Sequence, residues 1–267
     1  VKACEKLDVL RTFFINMDAA TERRAFMEAQ LARLGISAER WPAVTDPTFT
    51  AEPSFKLRGR GPMTNGELGC FESHTQLWAE CMSSNQALLI LEDDAFLSER
   101  LPELLKTIDG GMPEDADILR LETTNGRGRF GQTRSLGGIA FYRVMQPQFC
   151  SAAYIITPRA ADWLLADTAG MLCNVPVDLY LFDRPAIYDL RIWQAAPGLA
   201  VQPEFSPEAR AALASKSAIY SERRDAHISS TPQAGIGERV AHYAKLLRRF
   251  SPQDLAAYRF VRDVRFA

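Results

Sequence analysis

The sequence predicts an α/β fold: a mostly parallel sheet flanked by helices, followed by a helical C-terminal tail. Three observations carry that expectation. Short apolar runs alternate with segments of helical period as far as about Ala200. The strongest run, Ala87-Leu88-Leu89-Ile90-Leu91, has no polar alternation, which marks a strand covered on both faces. Of the 267 residues, 47% are hydrophobic, enough for the core of one large domain or two small ones. Because the alternation fades beyond Pro203, residues 1–205 read as one α/β domain. Residues 206–267 read as a mostly helical extension packed on it.

Phe13-Phe14-Ile15 opens the series as a short strand running into Asn16-Met17-Asp18. Phe26, Met27, Gln30, Leu31 and Leu34 then recur at helical spacing, with Gly35 as the stop. Glu39–Val44 reads as a second strand, and Thr45–Pro62, rich in Pro, Gly and Thr, as a long loop. Thr64-Asn65-Gly66-Glu67 has capping-box spacing and opens a helix from about Leu68 to Met82. After the Leu88–Leu91 strand comes a helix with Leu101, Leu104, Leu105 and Ile108 on one face, then a buried strand over Asp117–Leu121. Thr123–Gly138 carries five glycines with Arg127, Arg129 and Arg134. It reads as a mobile basic loop, either a lid over phosphate or an ordinary surface loop. Ala152–Thr157 is a strand, and Pro158 starts a helix at its first position. Pro176–Leu181 begins another short helix. Ala186–Asp189 and Arg191–Ala195 read as extended pieces leading to Val201-Gln202-Pro203. From about Gly237 to Ala267 the tail reads as mostly helical and basic.

Charge is nearly balanced, 31 Lys+Arg against 33 Asp+Glu, so no global field favours nucleic acid as a partner. Five cysteines, an odd number without a C-x-x-C pair, fit a reducing, cytoplasmic setting better than a disulfide framework or structural zinc. No apolar run approaches the roughly 18–20 residues of a membrane span. Lys2, Glu5, Lys6 and Asp8 break any signal-peptide pattern, and Val1 in place of Met suggests a trimmed chain. The tail interleaves Arg239, Lys245, Arg248, Arg249, Arg259, Arg262 and Arg265 with Tyr243, Leu246, Leu247, Phe250, Tyr258, Phe260 and Phe266. Such a helix either packs on the domain with a solvated basic face or makes peripheral contact with anionic lipid at the inner membrane face.

The most informative stretch is the end of the apolar run, where Glu92, Asp93 and Asp94 stand in a row. In open α/β sheets ligands bind beyond the carboxyl ends of the strands. Three adjacent carboxylates repel one another unless a cation or hydrogen-bond donors offset them. A hard divalent cation, Mn²⁺ or Mg²⁺, held by carboxylate oxygen and shared with a substrate phosphate, is the economical explanation. A solvated acidic strand end is the plain alternative. If the strand stays extended, Glu92 and Asp94 point one way and Asp93 the other.

Six blocks in order now resemble one family. They are Phe14-Ile15-Asn16-Met17-Asp18 with Arg23-Arg24, then Gly66-Glu67-Leu68-Gly69-Cys70-Phe71-Glu72-Ser73-His74, then Leu89-Ile90-Leu91-Glu92-Asp93-Asp94. Ala153-Tyr154-Ile155-Ile156, Pro176-Val177-Asp178 and Val201-Gln202-Pro203 complete the set. Together they resemble glycosyltransferase family 25, the lipooligosaccharide galactosyltransferases and collagen galactosyltransferase-like domains, over roughly Phe13 to Pro203. Met17, where Leu is commoner, and Glu72, at a usually apolar place, depart from the pattern. The resemblance implies a GT-A-type nucleotide-sugar-binding fold, a UDP-galactose donor, Mn²⁺ and inversion at the anomeric carbon. It makes Glu92-Asp93-Asp94 the counterpart of a D-x-D motif.

On this reading Asp94 and Glu92 hold the metal. Asn16, Asp18, Arg23, Glu67, His74, Glu92, Asp93 and Gln202 serve the donor. Arg23 and Arg24 are forks suited to phosphate or to an acidic neighbour, or else a solvated helix face. Glu67 as the last member of a capping box needs no other duty, and His74 is equally a satisfied structural histidine. Asp178, at the first turn of a helix that favours its ionised form, is the preferred general base, or else a helix cap. Asp183 is the weaker candidate. The expected activity is metal-dependent inverting transfer of galactose, or a related hexose, from a UDP-sugar to a glycan or lipid-linked oligosaccharide such as lipooligosaccharide. The alternatives are a nucleotidyltransferase or phosphohydrolase using the same acidic strand end, and a non-catalytic sugar-nucleotide-binding module.

Overall fold

A computed structural model describes residues 10–51, 62–108, 111–168, 173, 175–213, 244 and 247–267. In chain order the elements begin with β1 (Arg11–Asn16), α1 (Thr21–Leu34), β2 (Glu39–Pro42), α2 (Asn65–Ser84) and β3 (Leu88–Glu92). Next come β4 (Phe96–Leu97), α3 (Leu101–Ile108), β5 (Ile118–Arg120), β6 (Arg127–Arg129), β7 (Thr133–Leu136), β8 (Ile139–Arg143) and β9 (Ala153–Ile156). The series closes with α4 (Pro158–Thr168), α5 (Val177–Phe182), α6 (Arg184–Asp189), β10 (Ile192–Ala196), β11 (Ala200–Val201), a 3-10 turn (Pro203–Phe205), α7 (Pro207–Ala212), α8 (Pro252–Ala257) and β12 (Val261–Asp263).

Eight strands form one sheet in the order β2-β1-β3-β9-β5-β10-β8-β7. Six of them run in one direction, and β9 and β8 run against them. Burial follows the sequence pattern of β3 closely. Leu88 and Ile90 join a core with Phe71, Leu77 and Trp78 of α2 and Leu164 of α4. Leu89 and Leu91 join the opposite core with Met27 and Leu31 of α1 and Leu101 and Leu104 of α3. A strand filled on both faces has no polar face to spare, which is why its run is unbroken. The mixed sheet with helices on both faces is consistent with the GT-A-type fold that the resemblance implied.

Local signals explain the boundaries. Gly35 ends α1 in the left-handed conformation (φ 65°), and its N–H caps the helix on the Ala32 and Leu31 carbonyls. Thr64 and Glu67 form the expected capping box at the start of α2. Within that helix Gly69 lies against the loop after β2, where a Cβ would stand 2.2 Å from the Val44 carbonyl oxygen. Only glycine lets α2 press this close to the backbone that walls the cleft described below.

Three details differ from expectation. Residues 184–189 are helical in α6 rather than extended; a short apolar segment does not by itself distinguish the two. Thr123–Gly138 is not an open loop, because β6 and β7 are built from it. Arg134 pairs with Asp115 and lies over the Trp193 ring, 5.0 Å from its centroid. The tail expected to be helical ends as β12, antiparallel to β6, with Phe266 bridging Gly198. Its described basic residues face the domain in part: Arg249 pairs with Asp189, Arg262 lies over Tyr142, and Arg265 donates to the Asn125 carbonyl. Arg239, Tyr243, Lys245 and Leu246 lie outside the described residues. No helix among the described residues is long and apolar enough to cross a membrane.

Candidate active site

A cleft of about 590 Å³ opens at the C-terminal ends of β1 and β3, a volume suited to a small-molecule ligand. Its walls are the N-terminal half of α2, the loop after β2, Cys150-Ser151 before β9, the start of α5 and the 3-10 turn at Gln202–Phe205. A second, much smaller cavity of about 40 Å³, beside Arg120 and Gln194, has room for only a few water molecules.

The acidic row sits on the floor. β3 stops at Glu92 and the chain turns, with the Ala95 N–H donating to the Glu92 carbonyl at 3.2 Å. The alternation expected of an extended strand is therefore lost, and Asp93 and Asp94 both turn toward Arg23. The Arg23 guanidinium reaches Asp93 Oδ1 at 2.8 Å and Asp94 Oδ2 at 3.2 Å. Asn16 Nδ2 donates to Asp93 Oδ2 at 2.7 Å, and Gln202 Nε2 to Asp94 Oδ1 at 3.1 Å. Glu92 accepts from the Ser151 hydroxyl at 2.8 Å and lies 3.5 Å from His74 Nε2.

Positive charge falls short here. Among described residues the cleft is lined by Glu67, Glu92, Asp93, Asp94, Asp178 and Glu204, against the single cation Arg23. Burial pushes Asp94 up to about 7; the neighbouring carboxylates of Glu92 and Asp93 add to this, and Arg23 and Gln202 oppose it. Burial also raises Asp93 despite Arg23 and Asn16. Glu92 is the exception: burial works against its charge, yet His74, Ser151 and Arg23 together hold it below the usual carboxylate range. Behind the floor, fully buried Glu122 is held well above its ordinary value by burial, with Arg120 opposing and Glu92 and Asp94 reinforcing.

Of the residues expected to serve the donor, the metal or the base, Asn16, Arg23, Glu67, His74, Glu92, Asp93, Asp94, Asp178 and Gln202 all line this cleft. Asp18 does not: its side chain is 88% exposed and pairs with Arg40. Arg24 also points elsewhere, into an exposed pair with Glu28 at 2.8 Å. Asn16 is fully engaged, since its Oδ1 accepts from Arg40 Nε at 3.0 Å while its amide serves Asp93 and the Ala20 carbonyl. Glu67 keeps its capping duty, accepting from the Thr64 N–H at 3.0 Å, although it lines the cleft. Asp178 accepts from the Cys150 N–H at 3.0 Å and the Leu179 N–H at 2.9 Å, which fixes its carboxylate at the cleft wall. Asp183, at the end of α5, is not among the lining residues.

Ser151, Cys70 and Glu122 escaped sequence reasoning as site residues. Glu122 carried a readable signal, a mostly apolar strand, interrupted by Arg120, that runs into a carboxylate. Cys70 sits one helical turn before His74.

Carboxylate oxygen is the donor type that Mn²⁺ or Mg²⁺ takes. Of the two expected ligands, Glu92 faces Ser151 and His74, and Asp94 faces Arg23 and Gln202. Cys70, His74 and Glu92 also bring their ligand atoms within 4.8 Å of one another.

Comparisons with known proteins converge. Residues 9–181 match the family model of glycosyltransferase family 25, described as an LPS biosynthesis protein. The chain is similar to the lipooligosaccharide biosynthesis protein lic2B of Haemophilus influenzae, at 26% identity over 71% of this chain and 75% of that one. A second Haemophilus influenzae protein, whose name makes it a candidate glycosyltransferase, is 31% identical over 71% of this chain and 69% of its own length. Procollagen galactosyltransferase 1-B of Xenopus laevis is 30% identical over 70% of this chain, which matches 32% of that longer protein.

Proposed function

This chain belongs to glycosyltransferase family 25, and from that membership and the cleft we propose metal-dependent, inverting transfer of galactose, or a related hexose, from a UDP-sugar to a glycan acceptor. The observation that carries the metal and donor reading is the charge balance of the cleft. A nucleotide diphosphate brings negative charge to a surface already lined by six carboxylates and one Arg. Without a divalent cation those charges repel. Glu92 and Asp94 would hold Mn²⁺ or Mg²⁺, and such an ion, when bound, offsets the charge that develops on the leaving diphosphate.

The chain's own residues supply the rest. Arg23 anchors Asp93 and Asp94 at the floor of the cleft. Gln202 holds Asp94 from the opposite wall. Asp178 takes the proton of the acceptor hydroxyl as that oxygen bonds to the anomeric carbon from the face opposite UDP. The bond from that carbon to the diphosphate oxygen breaks in the same displacement, without a covalent sugar–enzyme intermediate. The likeness to lic2B points to a lipooligosaccharide-type acceptor, and the procollagen likeness keeps galactose first among donors. The test is a screen of UDP-sugars with Mn²⁺ and a lipooligosaccharide acceptor, read by release of UDP. UDP-galactose should be consumed and chelation should stop it; turnover unchanged by chelator would overturn the metal assignment.

A further inference from the structure

We propose that Cys70, His74 and Glu92 form a second cation site, selective for a thiophilic divalent ion such as Zn²⁺, which shares Glu92 with the hard-oxygen set at Asp94. It stands whether or not the transferase reading does, because it follows from side chains alone. Cys70 and His74 lie four residues apart on α2 and so share one face. Glu92 meets them from the end of β3, and the three ligand atoms lie within 4.8 Å of one another. His74 is fully buried, yet its Nε2 has no hydrogen-bond partner and lies 3.5 Å from Glu92 Oε1. A buried imidazole nitrogen facing a carboxylate and a thiol is an independent sign of an intended ligand.

The contact at its other nitrogen admits the tautomer that a metal needs. His74 Nδ1 lies 2.8 Å from the Tyr154 hydroxyl, which also accepts from Trp78 Nε1 at 2.9 Å. The phenol oxygen has two lone pairs, so it can accept from both when the imidazole proton sits on Nδ1 and leaves Nε2 to the ion. Ser151 fixes Glu92 in turn. One thiolate, one imidazole and one carboxylate make a borderline-soft set that suits Zn²⁺ and disfavours Mg²⁺. All three residues line the cleft, so an ion would reach them from it. Binding replaces the Cys70 thiol proton with the metal and releases that proton to solvent. An ion seated here occupies Glu92, so Zn²⁺ should compete with the hard cation.

Co²⁺ as a spectroscopic probe and Zn²⁺ with a competing chromophoric chelator test this on the full chain. Wild-type protein should show a thiolate-to-cobalt charge-transfer band, and Zn²⁺ should displace the Co²⁺. Cys70→Ser should abolish the band and weaken Zn²⁺ at least about tenfold; Tyr154→Phe should weaken it about 10–100-fold. Asp94→Asn should keep both, which separates this site from the Asp94 assignment. If Cys70→Ser does not fold, alkylation of wild-type protein mapped by mass spectrometry decides, because Zn²⁺ should protect Cys70. A missing band, a band that survives Cys70→Ser, or equal alkylation of Cys70 with and without Zn²⁺ would overturn the proposal.

Discussion

Asp117 and the Glu92–Asp94 row are both buried acids at the ends of central strands, and they are treated in opposite ways. Asp117, just before β5, is gripped by two guanidinium groups: Arg159 at 2.9 and 2.8 Å, and Arg191 at 3.1 and 3.2 Å. The Arg191 N–H adds a further bond at 2.6 Å. Burial opposes its charge, but these donors outweigh burial and hold Asp117 below the usual carboxylate range. At the C-terminal end of β3 three carboxylates share one Arg, and Asp94 is pushed up to about 7. The first site is closed, with nothing left to bind. The second is short of positive charge and opens on a cleft. A buried acid with its full complement of donors reads as structure; a buried acid without it reads as a place for a ligand.

Substitutions at the two sites should therefore fail in different ways. Asp94→Asn should abolish measurable turnover in a UDP-release assay. Thermal unfolding of the metal-free variant should show stability equal to or above wild type, because one of three mutually repelling carboxylates is gone. A large drop in stability would make the row structural and erase the contrast. Asp178→Asn should lower turnover by about 10²–10⁴-fold, the range for losing a positioned acid–base group, with donor affinity nearly unchanged. Side-by-side kinetics with Asp183→Asn check the choice of base; a crippled Asp183→Asn beside a near-normal Asp178→Asn would reverse it.

Asp117→Asn should do the converse. It should cost about 2–3 kcal/mol in denaturant unfolding at pH 7, since charged hydrogen bonds are lost while both Arg side chains stay partly in water. Turnover of the folded fraction should remain near wild type. The smallest effect is the pH dependence of that loss. The folded value of Asp117 is depressed, so its contribution is full above the unfolded value of about 3.9 and fades as pH falls through the folded value. The stability gap between wild type and Asp117→Asn should thus narrow as pH falls below about 3.9. A gap that stayed constant would deny that ionised Asp117 is the stabilising form.

The contrast also shows what the sequence could and could not carry. The strand, its burial on both faces and the acids at its tip are local properties, and Leu88–Asp94 announces them. The capping box at Thr64 and the stop at Gly35 are equally local. What the acids do is not local: Asp93 is set by Asn16, 77 residues away, and by Arg23, 70 residues away. Those partners turn the chain out of the extended form on which the alternation of Glu92 and Asp94 depended. Asp18 matched the family block yet faces solvent, where it pairs with Arg40 of β2. Strand β6 in Thr123–Gly138 was hidden for the same reason, since it pairs with β12 from the far end of the chain, whereas β7 pairs locally with β8. Ser151 and Cys70 belong to the site only because β9 and α2 meet β3 there.

The central claim is that the row at the end of β3, with Arg23 as the single cation among the described lining residues, binds its donor through a divalent ion. Calorimetric titration of UDP into wild type and Asp94→Asn, each with and without Mn²⁺, tests it most directly. Wild type should bind UDP tightly only with Mn²⁺, and Asp94→Asn should lose that Mn²⁺-dependent gain while keeping its fold. Metal-dependent affinity in Asp94→Asn equal to that of wild type would contradict the account.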